Sequence, residues 1–314
     1  MRNKKCGNIG LPIVVTAGSS YLDIDAYACC VALAELLNLA GRKAIAYSKA
    51  NCNYSVCNFL KKSRHVSTAI PSDDGNLKYI IVDVSDPDYI KDSVPLEKVA
   101  AVYDHHVGFE DYWKSRIGDN SHIEFVGAAA TLIYREWQKH NLVEKMSIST
   151  AKLMVAAILD NTLNLTSSNT TDEDRTVFHQ LCIHGNIDDE WCKDYFVEVQ
   201  ASIENDLKNA IFKDIKHMPD TSVLPSRVAQ LSIWNAENLF DRLSEIRLWF
   251  SESPESWMIN IIDIQNNCSF FVCDDKMVQK NLERIFDIFF SNGIAKTRRA
   301  LLRKEIIKQV NSSD

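Results

Sequence analysis

The sequence predicts an α/β protein: a doubly wound, mostly parallel sheet followed by a second, smaller α+β domain. Three observations predict it. Short apolar runs that end in polar clusters alternate with helical patterns early in the chain, as in a parallel sheet covered on both faces. Near residue 190 the texture changes, and hairpin-like apolar runs follow a polar helical stretch. At 314 residues the chain exceeds one ordinary core and suffices for two domains. The expected boundaries are 1–190 for the first domain and 191–314 for the second, which begins with a helical linker.

Each element has its own signal. "LPIVVTAG" (11–18) is a buried strand ending in a Gly-Ser loop. "DAYACCVALAELLNLAGRK" has helical spacing, with Gly41 as its stop. "KAIAYS" (43–48) is a short strand, "KYIIVDVSDPDYI" a strand that meets an Asp and then a Pro turn, and "KVAAVYDHH" repeats that plan. Residues 126–140 and 149–160 read as helices. In the second domain "RVAQLSIW" (227–234) is a strand, and "WMINIIDIQ" and "CSFFVC" pair through a turn at Gln265-Asn266-Asn267. Residues 274–290 form an amphipathic helix with an Asp at its start.

Composition narrows the function. The net charge of −7 argues against general nucleic-acid binding, whose footprint is basic. Nine cysteines without a C-x-x-C pair are the free thiols of a reducing compartment. There is no signal-peptide pattern at the start and no apolar run long enough for a bilayer, so a cytoplasmic protein is expected.

Four polar clusters fall at the predicted strand and helix ends: Asp23 and Asp25 in "SSYLDIDA", Asp83 after "YIIV", Asp104-His105-His106, and Asp160 in "AAILDNTLNLTSSNTTDED". In doubly wound sheets, ligands bind beyond the carboxyl ends of the strands. Carboxylates mixed with imidazoles suit Mn²⁺, Co²⁺ or Mg²⁺ better than zinc in a thiolate cage. Two Asp residues two apart can reach two ions side by side, and a shared Asp can bridge them. Such a pair, about 3.5–4 Å apart, lowers the pKa of a bridging water and clamps a phosphoryl oxygen. Adjacent histidines on an extended segment point opposite ways, so one can face metal and the other substrate. Taken singly, each Asp has a plainer reading as a helix cap or turn residue; four clusters together favour a site. "TSSNTT" reads as a turn and cap before "DEDR".

In this order the clusters resemble the DHH phosphoesterase superfamily. "IEFVGAAATLIY" is similar to the segment after the Asp-His-His run in family II inorganic pyrophosphatases and exopolyphosphatases, and "ILDNTLNLTSSNTTDED" to their fourth motif. "FKDIKHM", "IIDIQNNCSFFV" and "LLRKEIIKQV" look like their C-terminal domain, shared with prune-like proteins. The resemblance implies a metal-dependent hydrolase of pyrophosphate or short-chain polyphosphate using a two-metal hydroxide mechanism, with two divalent ions per site, Mn²⁺, Mg²⁺ or Co²⁺. It further implies that Asp83 bridges the metals, Asp23 and Asp160 serve one, and Asp25 and His105 the other. His106 would contact phosphate and supply a proton. Lys216, Arg303 and Lys304 would bind phosphates from the second domain across a cleft. The alternatives are a phosphoesterase of a small nucleotide such as adenosine bisphosphate, or a non-catalytic prune-like binding protein. A membrane partner is not expected, and a homodimer is compatible with the sequence.

One position departs from the family. Ser19 stands four residues before Asp23, where the pyrophosphatases carry a metal-binding His and exopolyphosphatase-like members an Asn. Loss of the imidazole should favour hard Mg²⁺ over softer ions. The register of the fourth motif leaves Asn161 as an alternative to Asp160. The basic run "KTRRALLRK" suits phosphate, or else is a solvated helical face.

Overall fold

The computed structural model describes residues 12–18, 22–61, 66–70, 76–219 and 222–312. Ser19 therefore lies outside the described residues. Two compact units divide the chain, Met1–Cys192 and Lys193–Asp314.

The first unit alternates strands and helices, as the apolar runs predict. In chain order they are β1 (Ile13–Thr16), α1 (Ile24–Leu39), β2 (Ala44–Ala46), α2 (Asn58–Lys61), β3 (Lys78–Val82), α3 (Pro87–Ile90), β4 (Val99–Asp104), α4 (Glu110–Ile117), β5 (Ser121–Ile123), α5 (Ala129–Lys139), α6 (Ile148–Asn161) and α7 (Asp172–Gly185). The strands form one sheet, in the order β2-β1-β3-β4-β5, and every pairing is parallel. Its β3 is apolar on both faces for a physical reason. Tyr79 and Ile81 join a core with Val14, Val99, Val102 and Trp113, while Ile80 and Val82 are buried on the opposite face, where α1 packs. Gly41, at φ +78, follows the Ala40 cap of α1 and ends that helix as expected. The order reverses between β1 and β3, so the crevice beyond their carboxyl ends is the switch point of the sheet.

α8 (Asp189–Asn205) begins in the first unit and ends in the second. The second unit continues with α9 (Leu207–Lys213), β6 (Lys216–His217), β7 (Arg227–Ile233), α10 (Glu237–Phe240), α11 (Leu243–Ser251), β8 (Trp257–Asp263), β9 (Cys268–Val272), α12 (Lys276–Phe286), β10 (Ile294–Lys296) and α13 (Arg303–Asn311). Its sheet runs β10-β9-β8-β7-β6, with β7 and β8 parallel and the other neighbours antiparallel. The β8–β9 hairpin turns where expected: Asp263 accepts from the Asn266 N–H at 2.9 Å, and Asn267 takes φ +46. Val228, Met258 and Phe271 pack against Val278 and Leu282 of α12 and Ile306 and Val310 of α13. Among the described residues no helix is long and apolar enough to cross a membrane.

Candidate metal centre

The ends of β3 and β4 and the start of α1 build the centre. Asp83 follows β3 and sits at φ +58, a left-handed conformation that costs a non-glycine residue energy and is least unfavourable for Asp and Asn. Its N–H is held by the Tyr103 carbonyl at 2.8 Å, which ties the strained residue to β4. Its Oδ1 is buried with no hydrogen-bond partner, and lies 3.4 Å from His105 Nε2. His105 is itself buried, and its Nδ1 lies 3.1 Å from the Val126 carbonyl. A proton on Nδ1, donated to that carbonyl, leaves the Nε2 lone pair aimed at Asp83, which is how a metal-binding imidazole is usually oriented. One nitrogen each from His105 and His106, together with an Asp83 oxygen, lie within 4.8 Å of one another.

The adjacent histidines diverge less than a pleat predicts, because β4 ends at Asp104 and both lie beyond it. Their rings stand 4.3 Å apart at 68°. The environments still differ, since the His106 side chain is 60% exposed and that of His105 only 3%. His106 Nδ1 lies 2.9 Å from Oδ1 of the fully buried Asp104, which also accepts the His106 backbone N–H at 3.1 Å. Burial pushes the Asp104 carboxyl up, but the hydrogen bond and charge of His106 outweigh it and hold it below its ordinary value. An anionic Asp104 thus fixes the ring through Nδ1.

The start of α1 contributes the other acids. Asp23 caps α1, accepting from the Ala26 N–H at 3.0 Å, and its carboxyl also hydrogen-bonds that of Asp83. Asp25 is fully buried and does a second job that its sequence context does not reveal. Ala128 caps α5 without a side-chain bond, and Asp25 supplies it, accepting from Ala129 N at 2.7 Å and Ala130 N at 2.9 Å. Burial, then the charge of Asp23, pushes Asp25 up to about 7. Burial and the charges of Asp25, Asp23 and Asp104 push Asp83 well above the usual carboxylate range. Burial raises all three acids, the charge of Asp23 further raises Asp25 and Asp83, and an orphaned Asp83 oxygen lies among them; this fits a site meant for cations.

Asp160 comes to this end of the unit by helix geometry. Glu35, near the end of α1, accepts from Ser147 N at 2.8 Å at the start of α6, and the two helices pack along their lengths. They therefore run antiparallel, and the paths from Glu35 to Asp25 and from Thr150 to Asp160 are equal, about 15 Å. Asn161 turns its amide back to the Ala157 carbonyl at 3.4 Å. The chain then makes a left-handed turn through Leu163, Asn164 and Leu165, at φ +49, +57 and +62, locked by Thr162 Oγ1 accepting from Leu165 N at 3.0 Å. Backbone strain thus collects at two of the four acidic motifs.

A residue that sequence reasoning missed holds this corner. Asp174 completes the capping box of α7 with Thr171, as the "TSSNTT" reading expects. It is also fully buried, and accepts from Gly127 N at 2.8 Å and Thr131 Oγ1 at 2.5 Å. The only available signal was the cap itself. A Cβ on Gly127 would lie 2.6 Å from Thr162 Cγ2 and 2.7 Å from Asp174 Oδ2. Gly127→Ala is expected to destabilise the protein by about 1–3 kcal/mol, read as a lower urea midpoint.

The predicted cations lie in the second unit. Lys216, exposed on β6, pairs in register with Val228, whose carbonyl accepts from Arg303 Nη1 at 3.1 Å, so these two are neighbours. Arg303 also bonds the Asp214 carboxylate at 2.9 Å and the Asp214 carbonyl. Lys304 occupies the first turn of α13. Much of the remaining basic run has local partners: Arg298 pairs with Asp287 at 2.6 Å, Arg299 with Glu305 at 2.8 Å, and Lys296 lies over Phe270.

A cleft of about 350 Å³ opens on the centre in the first unit. Asp23, Asp83, Asp104 and His106 line it, and so do Tyr89, Val107 and Phe109.

No protein-family profile matches the chain. A manganese-dependent inorganic pyrophosphatase of Methanothrix thermoacetophila is 23% identical over 258 residues, 79% of each chain. A Methanococcus jannaschii structure provisionally assigned as a family II inorganic pyrophosphatase superposes with a TM-score of 0.65 at 17% identity, covering 95% of this chain and 99% of that one. An exopolyphosphatase-related protein of Bacteroides fragilis superposes with a TM-score of 0.50 at 13% identity, covering 96% and 91%. The chain has the fold of these proteins and resembles the group that the order of its motifs implied.

Proposed function

We propose, from this likeness to the DHH phosphoesterases, that the chain is a metal-dependent hydrolase of phosphoanhydrides, with pyrophosphate or short polyphosphate as substrate. The observation that carries the proposal is the buried Asp83 carboxylate, which faces His105 Nε2 at 3.4 Å and whose pKa is raised by burial and by the charges of Asp25, Asp23 and Asp104. Asp23, Asp25, Asp83, His105 and Asp160 are the residues that would hold two divalent ions, Mn²⁺ or Mg²⁺. Bound there, such ions lower the pKa of water and neutralise phosphate oxygens. The position of Asp83 after the central strand β3, with the acids of α1 on one side and the histidines beyond β4 on the other, supports the reading that it is shared. His105 is kept in one tautomer by Val126. His106, oriented by Asp104, presents Nε2 to the cleft and delivers a proton to the leaving oxygen. Lys216, Arg303 and Lys304 are proposed to bind phosphate.

Phosphate release from pyrophosphate, tripolyphosphate and long polyphosphate, each with Mn²⁺, Mg²⁺ or Co²⁺, tests the proposal. Turnover on at least one substrate is expected. Silence on all of them from folded protein would favour the non-catalytic binding alternative. His106→Ala should lower kcat by about 10²–10⁴-fold. Retention of Mn²⁺ affinity in that variant marks proton delivery; an equal loss of Mn²⁺ affinity would make His106 a ligand instead.

A specific observation favours a second reading, hydrolysis of a small nucleotide. Tyr89, Val107 and Phe109 line the cleft, and Tyr89 is 56% exposed, an apolar wall that an all-phosphate substrate does not use. If a base stacks there, Tyr89→Ala lowers kcat/KM for adenosine bisphosphate by roughly tenfold and leaves pyrophosphate unchanged. Equal effects on both substrates would remove this reading.

A further inference from the structure

Two cysteines stand apart from the rest. Cys29, Cys30, Cys268 and Cys273 are buried, and burial pushes each thiol up, as it does for the half-buried Cys52. Cys182 and Cys192, both free thiols, are hydrogen-bonded to each other. The corner between α7 and α8 brings them together. Cys182 lies on the last turn of α7 and Cys192 on the first of α8. Asn186 closes α7 in the left-handed conformation at φ +48, and Ile187 N donates to the Cys182 carbonyl at 2.9 Å. Asp188 then starts α8, accepting from Trp191 N at 2.9 Å through its side chain and from Cys192 N at 3.2 Å through its carbonyl. The corner is tight, since a Cβ on Gly185 would lie 2.8 Å from Ile187 Cδ1. Trp191 anchors the start of α8, edge-on to Phe59 and beneath Lys152. Cys182 is half-buried and reachable from solvent, whereas Cys192 is 9% exposed.

We propose that Cys182 and Cys192 are a reversible oxidation site, at which a peroxide converts the two thiols to a disulfide that pins α7 to α8. Cys182 is the attacking thiol. Its sulfur, given a hydrogen bond by Cys192, has its pKa lowered, whereas burial raises Cys29, Cys30, Cys52, Cys268 and Cys273, and thiolate is the form that reacts. Cys182 thiolate attacks a peroxide oxygen, the O–O bond breaks, and the departing oxygen takes a proton as water or alcohol. Cys192 then attacks the sulfur of the resulting sulfenic acid, the S–O bond breaks, and water leaves. Two thiols have been oxidised and one peroxide reduced; a thiol reductant reverses the change. Cys192 lies on α8, the helix that begins in the first unit and ends in the second.

The test treats the full chain with hydrogen peroxide, blocks residual thiols and cleaves after Glu190, the one Glu between the two cysteines. Expected is a linked pair of peptides carrying Cys182 and Cys192, two hydrogens lighter than their sum and separated by dithiothreitol. Cys182 should lose its reactivity toward iodoacetamide about tenfold faster than Cys52. In Cys192→Ser no linked pair forms, and a sulfenic-acid probe labels Cys182. Full alkylation of both cysteines after peroxide has oxidised other thiols would overturn the proposal, as would a disulfide to any other partner. An unlabelled Cys182 in folded Cys192→Ser would overturn its assignment as the attacking thiol.

Discussion

Asp83→Asn gives a folded protein whose turnover is lower by on the order of 10³-fold or more. Asparagine is the conservative choice here because it tolerates the left-handed backbone at φ +58. It keeps the volume and can still face His105, but it removes the charge that would be shared between two ions. The same change relieves electrostatic stress in metal-free protein, because Asp83 sits buried among Asp25, Asp23 and Asp104. The variant should therefore melt no lower than wild type in the presence of a chelator, and should gain little from added Mn²⁺. Loss of activity together with a lower metal-free melting temperature would instead indicate a damaged fold. Activity equal to wild type would refute a bridging Asp83.

Metal-free protein should lose stability as the pH rises from about 4 through about 7. The sign follows from the direction of the shifts. Burial raises Asp23, Asp25 and Asp83 above the ordinary carboxylate value, Asp25 to about 7. Between the unfolded and folded pKa values the native state holds protons that the unfolded chain has released, so stability falls as pH increases. Divalent ions replace those protons and reverse the trend. With a chelator present, melting at pH 8 is expected roughly 5–10 °C below that at pH 5, and Mn²⁺ should restore most of the loss at pH 8. The double variant Asp23→Asn with Asp83→Asn should flatten the dependence. A chelated wild type that is more stable at pH 8 than at pH 5 would contradict this electrostatic picture.

The parts legible in the sequence were those in which chemistry and periodicity coincide. Apolar runs ending in Asp marked β3 and β4, whereas the strand order that puts a switch point between β1 and β3 depends on which strands pair in space and has no signal along the chain. Short polar strands were not legible. Ser121-His122-Ile123 is three residues long and pairs only with the end of β4, and the two-residue β6 likewise has no periodicity to read. Roles that depend on distant partners were also hidden. Asp25 caps a helix that begins far along the chain, and Asp174 looks like an ordinary cap until Gly127 and Thr131 come to it through folding. The basic run shows the same limit: its composition suits phosphate, yet Arg298 and Arg299 have acidic neighbours that only the fold brings close.

Titration of metal-free protein with Mn²⁺, followed by electron paramagnetic resonance, bears most directly on the paired centre. Two ions per chain with the broadened signal of coupled neighbours are expected for the wild type, with the coupling absent in Asp83→Asn. A wild type that binds no Mn²⁺, or that gives only the spectrum of isolated ions, would contradict a shared carboxylate at Asp83.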